Sequence, residues 1–237
     1  MSVEPWFTAV VIPARNEQES IGDCIRSVLT AATVADCLSR LWIVVVADSC
    51  RDATAGVAQA ALESDGEVVA CSAASAGTAR RLGAAAALAR FRRERHEHIW
   101  LLNTDADSTV PSDWIAEHLK YAERGMTGVA GIVSLEESAS ELARQFHQRT
   151  YKISSDGSHE HVHGANMALR ADAYLDVGGW YDRTLAEDHC LWQRLRAKGW
   201  RVCSPATSVV ITSARLAGRA PGGFADTLQA GIHAIST

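Results

Sequence analysis

Residues 7–29 read FTAVVIPARNEQESIGDCIRSVL, from Phe7 to Leu29, and this stretch sets the expected fold. Phe7–Ile12 is a continuous apolar, β-branched run closed by Pro13, the pattern of a strand buried on both faces of a parallel sheet. Ile21, Ile25, Val28 and Leu29 then recur at helical spacing. The same strand-then-helix unit repeats downstream. Leu41–Val46 is a second buried strand, and Asp52 is placed to cap an Ala-rich helix behind it. Glu67–Ala70 is a short third strand, followed by a helix from Gly77 to about Arg95. Ile99–Leu102 is a fourth strand; Pro111 and Ser112 open a helix with Ile115, Leu119 and Ala122 on one face; Gly128–Ser134 is a further strand. This alternation predicts an α/β fold: an open, largely parallel, mixed twisted sheet with helices on both faces, in one Rossmann-like domain. In such sheets ligands sit beyond the carboxyl ends of the strands, so the polar residues there carry the functional reading.

The second half is less regular. Glu136–Ser154 reads as a polar helix, Asp156–His163 as a loop, and Ala171–Val177 and Asp188–Lys198 as short helices, the latter with Gly199 at its C′ position. Val209–Thr212 is a last strand, Arg219–Gly223 a loop, and Phe224–Ile235 a terminal helix. No repeat, linker or low-complexity tract interrupts the 237 residues, which predicts a single domain over 1–237.

Composition narrows the function. With 47% hydrophobic and 22% charged residues the chain is globular, not disordered, collagen-like or a coiled coil. A formal net charge of −5 argues against a nucleic-acid partner, which needs a dense basic surface. The N-terminus has no signal-peptide pattern, and no apolar run of about 18 residues predicts a transmembrane segment. The expected location is cytoplasmic. The six cysteines are scattered with no CxxC, so they read as reduced thiols in or near the core.

Five strand-end or helix-start segments hold candidate chemistry. Asn103-Thr104-Asp105-Ala106-Asp107 presents two carboxylates one residue apart, suited to a hard divalent cation that keeps phosphate and water ligands, or to a plain surface turn. Arg15 and Glu17 follow the first strand, where Arg15 can meet phosphate and Glu17 can favour a helix start. Asp48 follows the second strand and can accept hydrogen bonds from a base or ribose. Gly77 and Arg80 open a helix whose amides suit an anion. Glu187-Asp188 lies at another helix entry, where a carboxylate stays ionised as a general base must. His159, His161 and His163 alternate and would share one face of an extended segment; a polar loop near substrate and a metal site both remain open. There is no GxGxxG after the first strand and no GxxxxGK[ST], which argues against a dinucleotide dehydrogenase and a P-loop NTPase.

Taken in order, VVIPARNE (Val10–Glu17), VVVADSCRDAT (Val44–Thr54), LNTDADS (Leu102–Ser108), HGANMALR (His163–Arg170) and AEDHCLWQRL (Ala186–Leu195) resemble a nucleotide-sugar-dependent glycosyltransferase of the GT-A fold, family 2. The resemblance covers Val10 to about Arg215. It implies that Pro13, Ala14, Arg15, Glu17 and Asp48 hold the nucleotide, with Gly77 and Arg80 nearby. Asp105 would meet the ribose or metal, and Asp107 would ligate Mg²⁺ or Mn²⁺. Glu187 and Asp188 would be the catalytic pair, with Asp188 taking the proton of an acceptor hydroxyl so that transfer inverts the anomeric centre. Gly164, Ala165 and Asn166 would shape the sugar and acceptor pocket, and Ser213 and Arg215 would approach the diphosphate. Residues 1–134 would then form the nucleotide-binding half, 135–215 the acceptor and catalytic half, and 216–237 a loop and helix that can act as a lid.

Departures from the family pattern refine this expectation. Ala47 leaves Asp48 without a preceding acid, Arg81 replaces a frequent Asn, and Thr212–Ser213 stands where a metal-binding His often follows the last strand. No QxxRW follows the Glu187-Asp188 pair, so the resemblance implies a single, non-processive transfer from a nucleoside diphosphate sugar to a small-molecule or lipid-linked acceptor. The competing readings are a retaining transferase on a similar fold, a nucleotidyltransferase, and a non-catalytic nucleotide-sugar binding protein.

Overall fold

The computed structural model describes residues 5–207, 209–215, 226 and 228–231. Its elements, in chain order, are β1 (Phe7–Ala14), α1 (Ile21–Val34), β2 (Leu41–Asp48), α2 (Thr54–Leu62), β3 (Gly66–Cys71), α3 (Ala76–Arg90), β4 (Ile99–Asn103), β5 (Ser108–Thr109), α4 (Trp114–Glu123), β6 (Gly128–Ala130), β7 (Ile132–Leu135), α5 (Glu141–Thr150), β8 (Met167–Arg170), α6 (Ala171–Asp176), α7 (Glu187–Ala197), β9 (Val202–Cys203) and β10 (Val209–Thr212). A seven-stranded sheet runs β3-β2-β1-β4-β8-β6-β9, and β5-β10-β7 form a smaller one. In the large sheet β8 alone runs against its neighbours β4 and β6; the other pairings are parallel. The α/β expectation of a largely parallel, mixed sheet is what the chain adopts.

Side-chain alternation splits the core into two layers. Val10, Ile12, Ile43, Val45, Trp100 and Leu102 point to one face, where Ile21, Ile25 and Val28 of α1 and Trp114 and Ile115 of α4 cover them. Ala9, Val44, Val46, Ile99 and Leu101 point to the other, under Ala79, Ala84 and Ala87 of α3 and Leu191, Trp192 and Leu195 of α7. The apolar runs read as strands are long because both faces of each strand are covered.

Four differences from the sequence reading have physical causes. β1 does not stop at Pro13 but pairs with β2 through Pro13 and Ala14. The Val11 carbonyl accepts the Thr104 N–H, so Pro13, two residues on, faces the same side, beyond the last β1–β4 partner at Asn103. Its missing N–H therefore breaks no ladder bond. Gly128–Ser134 is not one strand: Gly131 gives its N–H to the Asn166 carbonyl, and the chain passes from the large sheet to the small one. β8 was not foreseen, because its four residues, MALR, have no period long enough to separate strand from helix. The α3 helix ends at Arg90, short of Arg95. The Arg219–Gly223 loop lies outside the described residues; of the expected terminal helix only 226 and 228–231 are described, and they are helical. All six cysteines are free. Among the described residues no helix is long and apolar enough to cross a membrane.

Glycine at position 83 lets α3 lie directly on the sheet. A Cβ there would stand 2.4 Å from Val11 Cγ1 and 3.1 Å from Val46 Cγ2, whereas a Cβ at Gly56 of α2 would meet nothing within 4 Å. Both are helix-interior glycines, where alanine is intrinsically favoured by about 1 kcal/mol. Gly56→Ala is therefore expected to raise the melting temperature. Gly83→Ala is expected to lower it, by roughly 1–3 kcal/mol of overpacking set against the propensity gain. Thermal denaturation of the two variants beside the wild type measures both signs.

Candidate active site

The carboxyl ends of β1, β2 and β4 open on one side of the sheet, and their polar continuations converge there. The backbone turns sharply after β1, β2 and β3: Asn16, Ser49 and Ala74 adopt left-handed φ of 54°, 56° and 51°, and Ala186, just before α7, has 55°. Non-glycine residues seldom hold this conformation, which costs of order 1 kcal/mol or more each. Surrounding bonds impose it. Asn16 Oδ1 accepts the Arg51 N–H at 2.8 Å, and the Asn16 N–H reaches Cys50 Sγ at 3.4 Å. The Glu17 N–H bonds Thr54 Oγ1 at 2.7 Å, and Asp52 caps α2 through the Thr54 N–H while also accepting the Gln18 N–H. The β1 and β2 exits are thus one cross-linked unit, and Asp52 does more than end a helix. Pro13 and Ala14 lie at the end of β1 at its base, with Arg15 half-buried beyond them.

Asp48 is buried at the end of β2. Burial pushes its carboxyl up, but the Ala74 and Ser75 amides, each at 2.9 Å, and the Ser49 hydroxyl outweigh this and hold it below the ordinary value. It stays ionised and shapes the turn that leads into α3.

Arg80 is the centre of the site. Its guanidinium is buried, with Nη2 2.6 Å from Asp105 Oδ1 and Nη1 paired with Glu187 Oε1. It also lies 5.5 Å above the ring of buried Trp180. Burial disfavours its charge, and Asp105, Glu187 and Asp188 together outweigh burial, so Arg80 stays protonated. Burial pushes the Glu187 carboxyl up, and Arg80 counters only part of that. One cation thereby joins the end of β4 to the start of α7, segments 82 residues apart in sequence.

The next turn fits around Arg80. A Cβ on Gly164 would fall 2.5 Å from Arg80 Nη2. The Gly164 N–H donates to Asp188 Oδ2 at 2.9 Å, and the His189 N–H donates to Asp188 Oδ1 at 2.7 Å. Ala165 is buried beside it, and Asn166 is fully buried. Its side chain accepts from Trp114 Nε1 at 2.9 Å and meets His118 Nε2 at 3.1 Å, while its amide donates to the Ile132 carbonyl at 2.8 Å. Asn166 therefore anchors the turn from inside and does not line a pocket.

Arg215 faces the second carboxylate cluster. Its guanidinium is 2.8 Å from Glu17 Oε1, 3.0 Å from Glu17 Oε2 and 2.9 Å from Asp107 Oδ2. Even so, Asp107 is raised from 3.8 to about 6: burial is the largest cause, the Asp105 carboxylate the next, and Arg215 offsets only part. Ser213 bonds Glu136, and its N–H donates to the Asp107 carbonyl. A depression of about 200 Å³ opens beside Asp107, lined also by Ser20, Asp23, Ser108 and Glu136.

Two expectations change with these contacts. Gly77 does not present its amide to an anion: the N–H donates to the Arg183 carbonyl at 3.2 Å, and a Cβ would meet the Tyr181 carbonyl oxygen at 2.2 Å. Arg80, expected near the nucleotide, has its guanidinium turned to the protein carboxylates Asp105 and Glu187. The sequence reading missed Asp182, which accepts the Ser75 and Thr78 hydroxyls and ties the 181–183 loop to α3, and it missed Trp180 and Tyr151. No short-range pattern marks the contacts of Asp182 and Trp180, made about 100 residues away, and those of Tyr151, although nearer in the chain, follow no regular period. Among the described residues no group of three or more His, Cys, Asp or Glu side chains is arranged to hold a metal by itself. The histidines at 159, 161 and 163 do line up, with His161 and His163 stacked at 6.1 Å and 6°.

The profile of "Glycosyltransferase like family 2" matches residues 5–216. No curated protein matches the chain. Solved structures share its fold. TarS 1-349 of S. aureus in complex with UDP superposes with a TM-score of 0.65 at 11% identity, over 88% of this chain and 60% of that one. The mannosyltransferase PcManGT of Pyrobaculum calidifontis, in complex with GDP-Man and Mn²⁺, gives 0.64 at 20% identity, over 92% and 59%. GalNAc-T7 with UDP, GalNAc and Mn²⁺ gives 0.63 at 13%, over 92% and 46%. The chain spans about 60% or less of the length of these three chains. At these identities the likeness is one of fold, the GT-A fold.

The raised Asp107 carboxyl makes a signed prediction. A folded-state value above the unfolded one removes stability as pH rises from the ordinary carboxylate range to about 6. Asp107→Asn escapes that loss. Its melting temperature at pH 8 is expected to exceed the wild type's by about 2–4 °C, roughly 1 kcal/mol after the lost Arg215 pairing is discounted, and the gap is expected to close near pH 4. Paired melting curves across this range measure it.

Proposed function

This chain belongs to glycosyltransferase-like family 2, and on that premise we propose that it moves a sugar from a nucleoside diphosphate sugar to an acceptor hydroxyl, with inversion, in single non-processive transfers. The observation that carries this reading is the buried Arg80 bridge, which joins the strand-end carboxylate Asp105 to the helix-start pair Glu187-Asp188. One site then holds both a place for a diphosphate and a base for the attacking hydroxyl.

The donor set suits Mg²⁺ or Mn²⁺. Asp105 and Asp107 offer hard oxygens, and crowding of Asp107 by burial and by Asp105 and Glu17 leaves this corner short of positive charge. Two protein carboxylates are enough for a cation that takes its other ligands from phosphate and water. Bound there, the cation supplies Lewis-acid stabilisation of charge on the departing diphosphate. PcManGT and GalNAc-T7 carry Mn²⁺ with a nucleotide sugar or its parts, which supports divalent metal use in this fold.

The chain's own residues do the rest. Pro13, Ala14, Arg15, Glu17 and Asp48 frame the nucleotide at the β1 and β2 exits. Ser213 and Arg215 approach the diphosphate from the end of β10. Asp188 accepts the proton of the acceptor hydroxyl, whose oxygen bonds to the anomeric carbon as the bond from that carbon to the diphosphate oxygen breaks. Its two backbone donors fix its direction. Glu187 takes no proton: it pairs with Arg80 and aims the helix. Gly164 and Ala165 border the sugar, and the acceptor is a small molecule or a lipid-linked hydroxyl.

The first test is a thermal-shift panel of UDP, GDP, dTDP, CDP and ADP, each with and without Mn²⁺. One diphosphate is expected to stabilise the protein in a metal-dependent way, and Asp107→Ala to abolish that dependence. No shift with any nucleotide overturns the donor assignment. With the donor in hand, Asp188→Asn is expected to lower turnover at least about 10³-fold while the nucleotide shift persists. NMR of the product anomer separates inversion from retention.

A further inference from the structure

The turn that carries the Gly164 amide is held at both ends, and only one anchor belongs to the site already described. The Asn166 N–H closes the turn on the His163 carbonyl at 3.0 Å, and the Asn166 side chain is fixed among Trp114, His118 and Ile132. At the other end, His163 Nε2 lies 2.5 Å from Tyr151 Oη. The Val133 N–H donates to that same hydroxyl at 3.4 Å. The Tyr151 hydroxyl is thus an acceptor from the backbone, and its own proton is directed at His163 Nε2. His163 is then neutral with its ring proton on Nδ1.

The tyrosine cannot easily turn away. Its ring is sandwiched between His147 at 4.2 Å and His161 at 4.3 Å, and His161 in turn stacks parallel to His163. The charged and titratable groups facing His163 are Asp188, which favours its protonation, and His161, His189 and His147, which oppose it. Burial dominates and lowers His163 to about 4. A neutral imidazole beside Asp188 leaves the carboxylate free of a competing cation.

We propose that Tyr151 and His163 are positioning residues for the transfer: the hydrogen bond between them fixes the 163–166 turn, and through the Gly164 amide it holds the Asp188 carboxylate in the direction of the acceptor hydroxyl. The proposal rests on the reading of Asp188 as the base. It gives the alternating histidines a role that needs no metal. His163 acts through the turn, His161 and His147 as the stack that keeps Tyr151 in place.

Tyr151→Phe keeps the stacked ring and removes only the hydroxyl. Two readouts follow. In ¹⁵N-imidazole NMR, wild-type His163 is expected in the Nδ1–H form and unprotonated at pH 6. Tyr151→Phe is expected to raise its pKa, because a donor to the neutral form is lost, and Asp188→Asn to lower it, because the facing carboxylate is lost. In turnover, followed as UDP release from UDP-glucose or GDP release from GDP-mannose, Tyr151→Phe is expected to lower kcat about 10–100-fold with donor KM unchanged. The acid limb of its kcat profile is expected to move to higher pH, and His163→Gln, whose amide oxygen can still accept the tyrosine proton, to keep more activity than His163→Ala. The Tyr151→Phe, His163→Ala double variant is expected to be no worse than His163→Ala alone, as for groups acting as a unit.

Wild-type kcat and pH profile in Tyr151→Phe, or His163 in the Nε2–H form, overturns the positioning proposal while leaving the transfer reading intact. Full turnover by Asp188→Asn overturns the base reading and the proposal with it.

Discussion

A guanidinium without water around it must be met on every side by something that tolerates positive charge, and Arg80 organises the molecule around that demand. Asp105 comes from the end of β4 and Glu187 from the start of α7, and neither can leave without stranding a buried cation. Removing one partner of a buried pair generally costs about 3–5 kcal/mol, whereas building the pair gains little over an apolar contact. The bridge is therefore better understood as a device for specificity than for stability. It sets the distance between the donor-side carboxylates and the helix that carries Asp188. It also dictates small neighbours: Gly164 has room for no side chain because the guanidinium occupies that space.

The second cluster is left less well satisfied. Arg215 spans Glu17 and Asp107, but the carboxylates around it still crowd one another, and Asp107 holds its proton more tightly than an ordinary carboxyl. Left-handed residues occur both at strand exits, at Asn16, Ser49 and Ala74, and after α1 and α2, at Asp36 and Glu63; those at the exits turn the backbone where Glu17, Asp48 and the α3 entry leave the sheet.

Much of this was legible in the residues. The runs Phe7–Ile12, Leu41–Val46 and Ile99–Leu102 announce buried parallel strands because each is covered on both faces, and the acidic turns after them mark the ligand edge. Asp105, Asp107, Glu187 and Asp188 could be singled out because their segments recur in the order and spacing of a known family, although each alone also reads as a surface turn or a helix start. The roles of Gly77, Arg80 and Asn166 could not. Each is a short-range motif whose partner is remote: Arg183 for Gly77, Glu187 for Arg80, Trp114 and His118 for Asn166. The β8 strand escaped for a related reason, since its antiparallel placement between β4 and β6 depends on neighbours and not on its own four residues.

The sequence by itself determined the class of fold and the polar residue types gathered at the carboxyl edge of the sheet, because hydrophobic period and strand-end polarity are local properties of the chain. Only the tertiary structure decided which charges meet. Pairing energies depend on distance and on exclusion of water, and both arise when segments some 25 to 200 residues apart are folded against one another. That is why Arg80 is only a helix-start cation along the chain and becomes a bridge between Asp105 and Glu187 in the fold, and why Tyr151 and His163, 12 residues apart, come to lie beside Asp188 only in the folded chain.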